Sequence, residues 1–315
     1  MDGNTGRDTA TSNVGVLIYT HNRVDDARVN LEIIRNVWGK SELLREATVV
    51  HAFNGEASWW PERYLEDDLL RLENPGHFGG AELLLNAGLE RFATKHPHID
   101  YVVVLASDTW CVKPNYVEKI ITGMRNEKKP LAVCAWGTKL EGNMFKIGMS
   151  LDFFVVDVKW AMRFGLFPIR YREFFDEHAE AFWYEDRMIY LERVFALRFK
   201  QAVVKAVTLP SENLIRAAAL EHVYRLVERE PVHHARRAIL GLFGPRRQER
   251  RMYWRSIGLL THHDPAPKQR ALKEWDVTLG ECGEKFLKAT DLHYWNGGLV
   301  KIGYEKNGKK IGYGD

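Results

Sequence analysis

The chain has 315 residues, 45% of them hydrophobic and 28% charged, and a formal net charge of +3 at pH 7. That length leaves room for about two domains and a sizeable core. The composition excludes a disordered, collagenous or predominantly coiled-coil chain, and the balanced charge gives no electrostatic footprint for nucleic acid. The three cysteines, Cys111, Cys134 and Cys282, form no CxxC or zinc-ligand spacing, and so sparse a set suits a reducing compartment better than a disulfide framework. Residues 1–13 are polar with no apolar signal-peptide core, and no apolar run is long enough to span a bilayer. The expected setting is cytoplasmic.

Val14 to Thr20 is a short apolar, β-branched run, the pattern of a buried parallel strand, and it ends in the polar cluster His21-Asn22-Arg23. Val29, Ile33 and Val37 follow at helical spacing. Thr48 to Phe53 reads as a second strand stopped by the turn signal Asn54-Gly55. An aromatic and acidic stretch from Trp59 to Asp68 leads to a glycine-rich turn over 74–80, and Ala81 to Phe92 reads as a helix that packs through Leu84, Leu85, Gly88, Leu89 and Phe92. Tyr101 to Ala106 is the clearest strand, followed by a helix over 114–124 and a strand over 131–136. A strand over 153–158, short helix over 160–164, helix over 185–195 and last strand over 202–209 complete the expected α/β unit. Strands alternating with helices imply βαβ units, a mainly parallel sheet flanked by helices and right-handed crossovers. Three polar clusters should therefore meet at one carboxyl edge: Thr20 to Arg23, Asn54, and Ser107 to Thr109.

Beyond about Pro210 the character changes. Residues 212–230 read as an amphipathic helix, and 233–255 are rich in arginine around the apolar run 239–243. Asn307-Gly308 between Lys301-Ile302-Gly303-Tyr304 and Lys310-Ile311-Gly312-Tyr313 signals a terminal β-hairpin. The expected division is 12–210 as a catalytic domain and 211–315 as a helical, basic C-terminal region with that hairpin.

Several residues have side chains suited to chemistry. Asp108, just past the strongest strand, suits a divalent cation bridging to a diphosphate, or equally a turn or cap acid. Glu185-Asp186, behind Phe182-Trp183-Tyr184, suits proton abstraction beside a sugar ring, or simply the first turn of a helix. His262 and His263 could supply one metal ligand or phosphate contact, or lie in a solvated loop. The basic residues within 236–255 suit an anionic membrane surface, a polyanionic substrate or a solvated helix face. The glycine run at 76–80 is neither GxGxxG nor a P-loop, and GxSxG and HExxH are absent, which weighs against dinucleotide, hydrolase and zincin readings.

Val14 to Arg23, with its Thr-His-Asn-Arg ending, resembles the opening strand of GT-A fold glycosyltransferases, closest to the large family 2. Asn74-Pro75-Gly76 with Gly79-Gly80-Ala81 and Asn86-Ala87-Gly88-Leu89 is similar to that family's glycine- and asparagine-bearing helix. Tyr101 to Pro114 resembles the strand and loop of its DxD element, here reduced to Ala106-Ser107-Asp108, and Glu185-Asp186 resembles its ED pair. The resemblance covers about residues 12–210 and implies a Rossmann-like, GT-A-like sheet and an inverting, nucleotide-sugar-dependent transferase of glycan biosynthesis. It implies donor binding by Thr20, His21, Asn22, Arg23, Asn54, Ser107 and Asp108. Asp186 would be the catalytic base with Glu185 beside it, and Trp183, Tyr184 and Trp136 would pack on sugar rings. A Mn or Mg ion would sit on Asp108, with His262 or His263 as further candidates. The expected partners are a nucleotide-sugar donor, a glycan or lipid-linked acceptor and an anionic membrane surface met peripherally through 236–255, with no nucleic acid. Two rivals stand beside this. A nucleotidyltransferase would need a glycine-rich basic loop where the chain has His-Asn-Arg-Val-Asp-Asp. A catalytically inactive GT-A-like glycan-binding or scaffolding protein is favoured by the incomplete DxD.

Overall fold

A computed structural model describes residues 13–75, 77–139, 145–170, 187–207, 223–225, 252–254, 258–261, 265–289, 305–306 and 309–310. In chain order the elements are β1 (Val14–Thr20), α1 (Val24–Glu32), β2 (Thr48–Phe53), β3 (Asp68–Arg71), α2 (His77–Lys95), β4 (Tyr101–Ala106), β5 (Thr109–Cys111), α3 (Pro114–Glu127), β6 (Leu131–Lys139), β7 (Phe145–Asp157) and α4 (Val158–Phe164). They continue with α5 (Arg187–Val207), β8 (Val223–Arg225), β9 (Met252–Trp254), β10 (Leu259–Thr261), α6 (Pro265–Glu274), α7 (Glu281–Lys288), β11 (Glu305–Lys306) and β12 (Lys309–Lys310).

A seven-stranded sheet in the order β3-β2-β1-β4-β7-β6-β8 forms the centre. β1 pairs in parallel with β2 and β4, β2 with β3 and β6 with β8, whereas β7 runs antiparallel to both β4 and β6. The result is an α/β, Rossmann-like sheet, mostly parallel. Its central strands read as near-continuous apolar runs because both faces are covered. Side chains alternate along a strand, so β1 divides between two cores. Val14, Val16 and Ile18 face α1, α3 and the C-terminal α6 and α7. Leu17 faces the layer of α2, α4 and α5. Val103 and Leu105 of β4 join the first core, and Val102 and Val104 the second. Leu259, Leu260, Leu272 and Phe286 belong to the first core too, so these C-terminal residues pack into the same unit as β1. No helix among the described residues is long and apolar enough to cross a membrane.

The structure corrects several expectations from the sequence. The aromatic and acidic stretch ends in a strand, β3, and a further short strand, β5, follows Asp108. The helix expected from Ala81 starts at His77, taking in Gly79 and Gly80. The strand expected over 202–209 is instead helical through Val207. Leu191, Val194, Phe195, Phe199, Ala202 and Val203 recur at helical spacing and are buried against the sheet, and that packing overrides the β-branched preference of the segment. Within the helix expected over 212–230, Val223–Arg225 is a strand on β6, and the remainder lies outside the described residues. Near the C-terminus Glu305–Lys306 pairs antiparallel with Lys309–Lys310, while the Asn307-Gly308 turn and the expected flanks over 301–304 and 311–313 lie outside the described residues.

Candidate functional site at the carboxyl edge of the sheet

The chain leaves β1 toward β2 on one side and returns, through α2, to β4 on the other, so strand order reverses between β1 and β4. In open α/β sheets a ligand crevice forms at such a switch point, outside the carboxyl ends of the strands. Thr20 ends β1, Phe53 ends β2 and Ala106 ends β4, which brings together the three polar clusters expected there. The Ser107 amide donates to the Tyr19 carbonyl at 3.2 Å and the Asn54 amide to the Thr20 carbonyl at 3.2 Å. His21 Nδ1 lies 3.2 Å from Asn54 Oδ1. Arg23 Nε lies 3.6 Å from Asp108 Oδ2.

The loop after β4 is held from beneath. Asn30 Nδ2 donates to the Thr109 carbonyl at 2.9 Å, and Trp110 Nε1 to the carbonyls of Asp26 and Ser107, each at 3.1 Å. Under these sits a buried charged group. Arg23 reaches Asp26 at 3.3 Å, and Lys268 of α6 donates to Asp26 Oδ1 at 3.0 Å with its ammonium 3.9 Å from the centre of the Trp110 ring. Burial pulls Lys268 below the usual lysine range, against the opposing attraction of Asp26 and Asp108. Such a pair persists in a low-dielectric setting because each charge has a partner.

A second buried group supports β1. His51 is fully buried, its Nε2 3.0 Å from Thr20 Oγ1 and its Nδ1 4.0 Å from Glu66 Oε1. Glu66 accepts from Trp60 Nε1 and from the amides of Tyr64 and Leu65. Burial, with a smaller repulsion from Arg71, pushes His51 down to about 3 from 6.5. The folded ring therefore stays neutral where the unfolded one gains a proton. Its contribution is present in full above pH 6.5 and is lost as pH falls toward 3, by about 1.4 kcal/mol per unit. Urea unfolding between pH 7 and 4.5 is expected to show a steeper loss of stability in wild type than in His51→Gln. Parallel curves would contradict a buried neutral ring.

Thr20, Asn54, Ser107 and Asp108 are all buried, whereas His21, Asn22 and Arg23 are half-buried and form the open lip of the edge. Thr20, tied to His51, therefore supports the edge from within. Trp136 lies on β6, opposite Gly148 of β7. Trp183, Tyr184, Glu185, Asp186, His262, His263 and the basic segment 236–251 lie outside the described residues. Among the described residues no three His, Cys, Asp or Glu side chains converge to hold a metal. A Mg-type ion needs only one or two protein carboxylates when substrate phosphates complete its shell. Asp108 on this loop is buried and faces the Arg23 guanidinium, so a cation held there would need substrate phosphates for the rest of its shell. A cleft of about 570 Å³ lies at the opposite, amino edge, lined by Asn13, Asp100, Tyr101, Arg125 and Trp160 among others, and none of the carboxyl-edge residues reaches it.

No family model matches this sequence, and no curated protein matches it. Sequence reasoning did not single out Asp26, Asn30, His51, Trp110 or Lys268. The first two had a usable signal, since polar residues four apart on the otherwise apolar face of α1 must find partners inside.

Proposed function

We propose that the chain is a GT-A-like glycosyltransferase that moves a sugar from a nucleotide-diphosphate donor to a hydroxyl acceptor, with inversion. The observation that carries this reading is the meeting of Thr20–Arg23, Asn54 and Ser107–Asp108 at the switch point between β1 and β4. His21, Asn22 and Arg23 on the open lip would receive the donor nucleotide, and the loop bearing Asp108 would face its diphosphate. A Mn or Mg ion held by Asp108 would supply charge neutralisation of the leaving diphosphate. Asp186, with Glu185 beside it, would take the proton from the acceptor hydroxyl. The acceptor oxygen then forms its bond to the anomeric carbon as the bond to the diphosphate breaks on the opposite face, so one displacement inverts the centre. Trp183, Tyr184 and Trp136 would pack on sugar rings. The acceptor class would be a glycan or lipid-linked hydroxyl, with residues 236–255 meeting an anionic membrane surface.

A second reading, a GT-A-like glycan-binding or scaffolding protein without turnover, is favoured by one observation: the Asp108 carboxylate faces a guanidinium. Calorimetric titration with UDP, GDP, CDP and dTDP, each with and without Mn²⁺, tests the donor site. One nucleotide is expected to bind saturably below millimolar concentration, with a Mn²⁺ dependence that Asp108→Ala removes. Absence of binding by all four at millimolar concentration in both conditions would overturn the transferase reading.

A further inference from the structure

β1 lies between β4 and β2, so the Asp108 loop and the loop after β2 stand on opposite sides of Thr20, two strand spacings or roughly 10 Å apart. On the β2 side the short turn Ala57–Trp59 carries Trp59, half-buried, with its ring centre 6.4 Å from that of His21 and the two planes inclined at 65°. Both rings are held. The Trp59 carbonyl accepts from Arg28 at 3.4 Å, and the next residue, Trp60, is 1% exposed and donates to Glu66. His21 Nδ1 lies 3.3 Å from the Asn54 carbonyl and 3.2 Å from Asn54 Oδ1. A carbonyl can only accept, so Nδ1 carries the proton, and Nε2 of the neutral ring is an acceptor. A Cβ at Gly55 would overlap the His21 carbonyl oxygen, and glycine there lets the two loops meet.

We propose that Trp59 and His21 form a nucleobase subsite in which the base stacks on the Trp59 indole and gives a ring N–H to His21 Nε2, so that the ligand taken is a nucleotide of uracil, thymine or guanine. The proposal deepens the donor-site reading above and rests on it. A nucleoside diphosphate with its phosphates toward the Asp108 loop extends its nucleoside across β1 to the β2 side, where these two rings stand. Every base has a π face, so the indole supplies affinity with little selectivity. Selection comes from Nε2. Two rings inclined at 65° do not sandwich a base; a base lying on one presents its edge to the other. Uracil, thymine and guanine carry a hydrogen on the ring nitrogen of that edge. Cytosine and adenine carry a lone pair there, which would face the lone pair of Nε2.

Calorimetric titration of the full chain at pH 8 with UDP, dTDP, GDP, CDP and ADP is the test. The nucleotide bound most tightly is expected to be one of the first three, with CDP and ADP at least about fivefold weaker. Methylation of its ring N–H (N3-methyl-UDP, N3-methyl-dTDP or N1-methyl-GDP) is expected to cost about fivefold in wild type and no more than about twofold in His21→Phe, since the two changes remove one and the same hydrogen bond. Trp59→Leu keeps apolar bulk in the turn but no π face, and is expected to weaken binding of every nucleotide about tenfold, whereas Trp59→Phe should stay within about threefold of wild type. In the isotope-labelled chain the Trp59 indole N–H resonance, identified by its absence from Trp59→Phe, is expected to move upfield as the nucleotide saturates, which a tryptophan with a purely structural role would not do. CDP or ADP as the tightest ligand, an N-methyl analogue that binds like its parent, or Trp59→Leu binding at wild-type strength would overturn the proposal while leaving the donor site standing. No binding by any of the five nucleotides in wild type would overturn both.

Discussion

Glu32→Ala is expected to destabilise the fold by about 3–5 kcal/mol, because it strips a buried helix terminus of its acceptors. Glu32 ends α1 and is 1% exposed. Its carboxylate accepts from the amides of Gly280, Cys282 and Gly283 at 3.0, 2.8 and 2.7 Å, and from the Tyr64 hydroxyl at 2.8 Å. The N-cap of α7 is Gly280, which brings no side-chain acceptor, so a carboxylate from the other end of the chain does the capping. Charge assistance and the positive end of the helix strengthen these bonds. A Cβ at Gly280 would stand 2.6 Å from the Glu32 carboxyl carbon, so glycine is what lets the helix end approach. Glu32→Gln keeps one acceptor oxygen and turns an amide donor toward donors, so about half the loss or more should remain. Urea unfolding followed by tryptophan fluorescence measures both. A change under about 1 kcal/mol for Glu32→Ala would mean that water replaces the carboxylate at this terminus. Phe286 of α7 stacks edge-on against Trp110 at 5.3 Å, and Trp110 holds the Ser107 carbonyl. Loosening α7 should therefore also disturb the Asp108 loop.

The same contrast between near and distant partners decides what the sequence revealed. β1, β2 and β4 were legible because a buried parallel strand is written locally, as a run of apolar, β-branched residues closed by a turn. The convergence of Thr20–Arg23, Asn54 and Ser107–Asp108 followed from that alternation and the handedness of crossovers, without any motif. β3 was not legible because its acids look like loop. Asp68 opens the strand yet lies among Arg91, Lys95 and His96, and Asp67 pairs with Arg35 at 2.9 Å, so partners from elsewhere make these acids compatible with a strand. Gly79-Gly80 looked like a turn because glycine weakens helices. A Cβ at Gly80 would fall 2.5 Å from Asn74 Oδ1 and 2.8 Å from Asn54 Nδ2, so this position is glycine for packing within the first turn of α2. Asn86, in the stretch that resembles a family motif, engages both ends of its amide with the backbone of Ile169, at 2.8 and 2.7 Å. That accounts for an asparagine there without any ligand. Lys268 and Glu32 are the extreme cases. Nothing within ten residues of either forecasts the Asp26 carboxylate for Lys268 or the α7 amides for Glu32, which lie more than 240 residues away.

Under the proposed transferase function, Asp186→Asn is expected to lower turnover about 10²–10⁴-fold while leaving donor affinity within about threefold of wild type, the signature of a lost general base. The amide keeps the shape of the carboxylate and cannot take a proton, so an effect confined to kcat separates chemistry from binding. The assay is release of the nucleoside diphosphate from the matching nucleotide sugar, with water or a sugar alcohol as acceptor and the nucleotide chosen by the calorimetric titration. The acidic limb of the pH profile should disappear in the variant, since the group that must be ionised is gone. Glu185→Gln is expected to cost less, because a neighbour acts through the base and does not itself receive the proton. Equal turnover in wild type and Asp186→Asn would remove Asp186 as the base. Nucleotide binding with no turnover in the wild-type chain under any of these conditions would instead favour the binding-module reading. In that case the Arg23–Asp108 pair would be the resting arrangement of an edge that holds a ligand without transforming it.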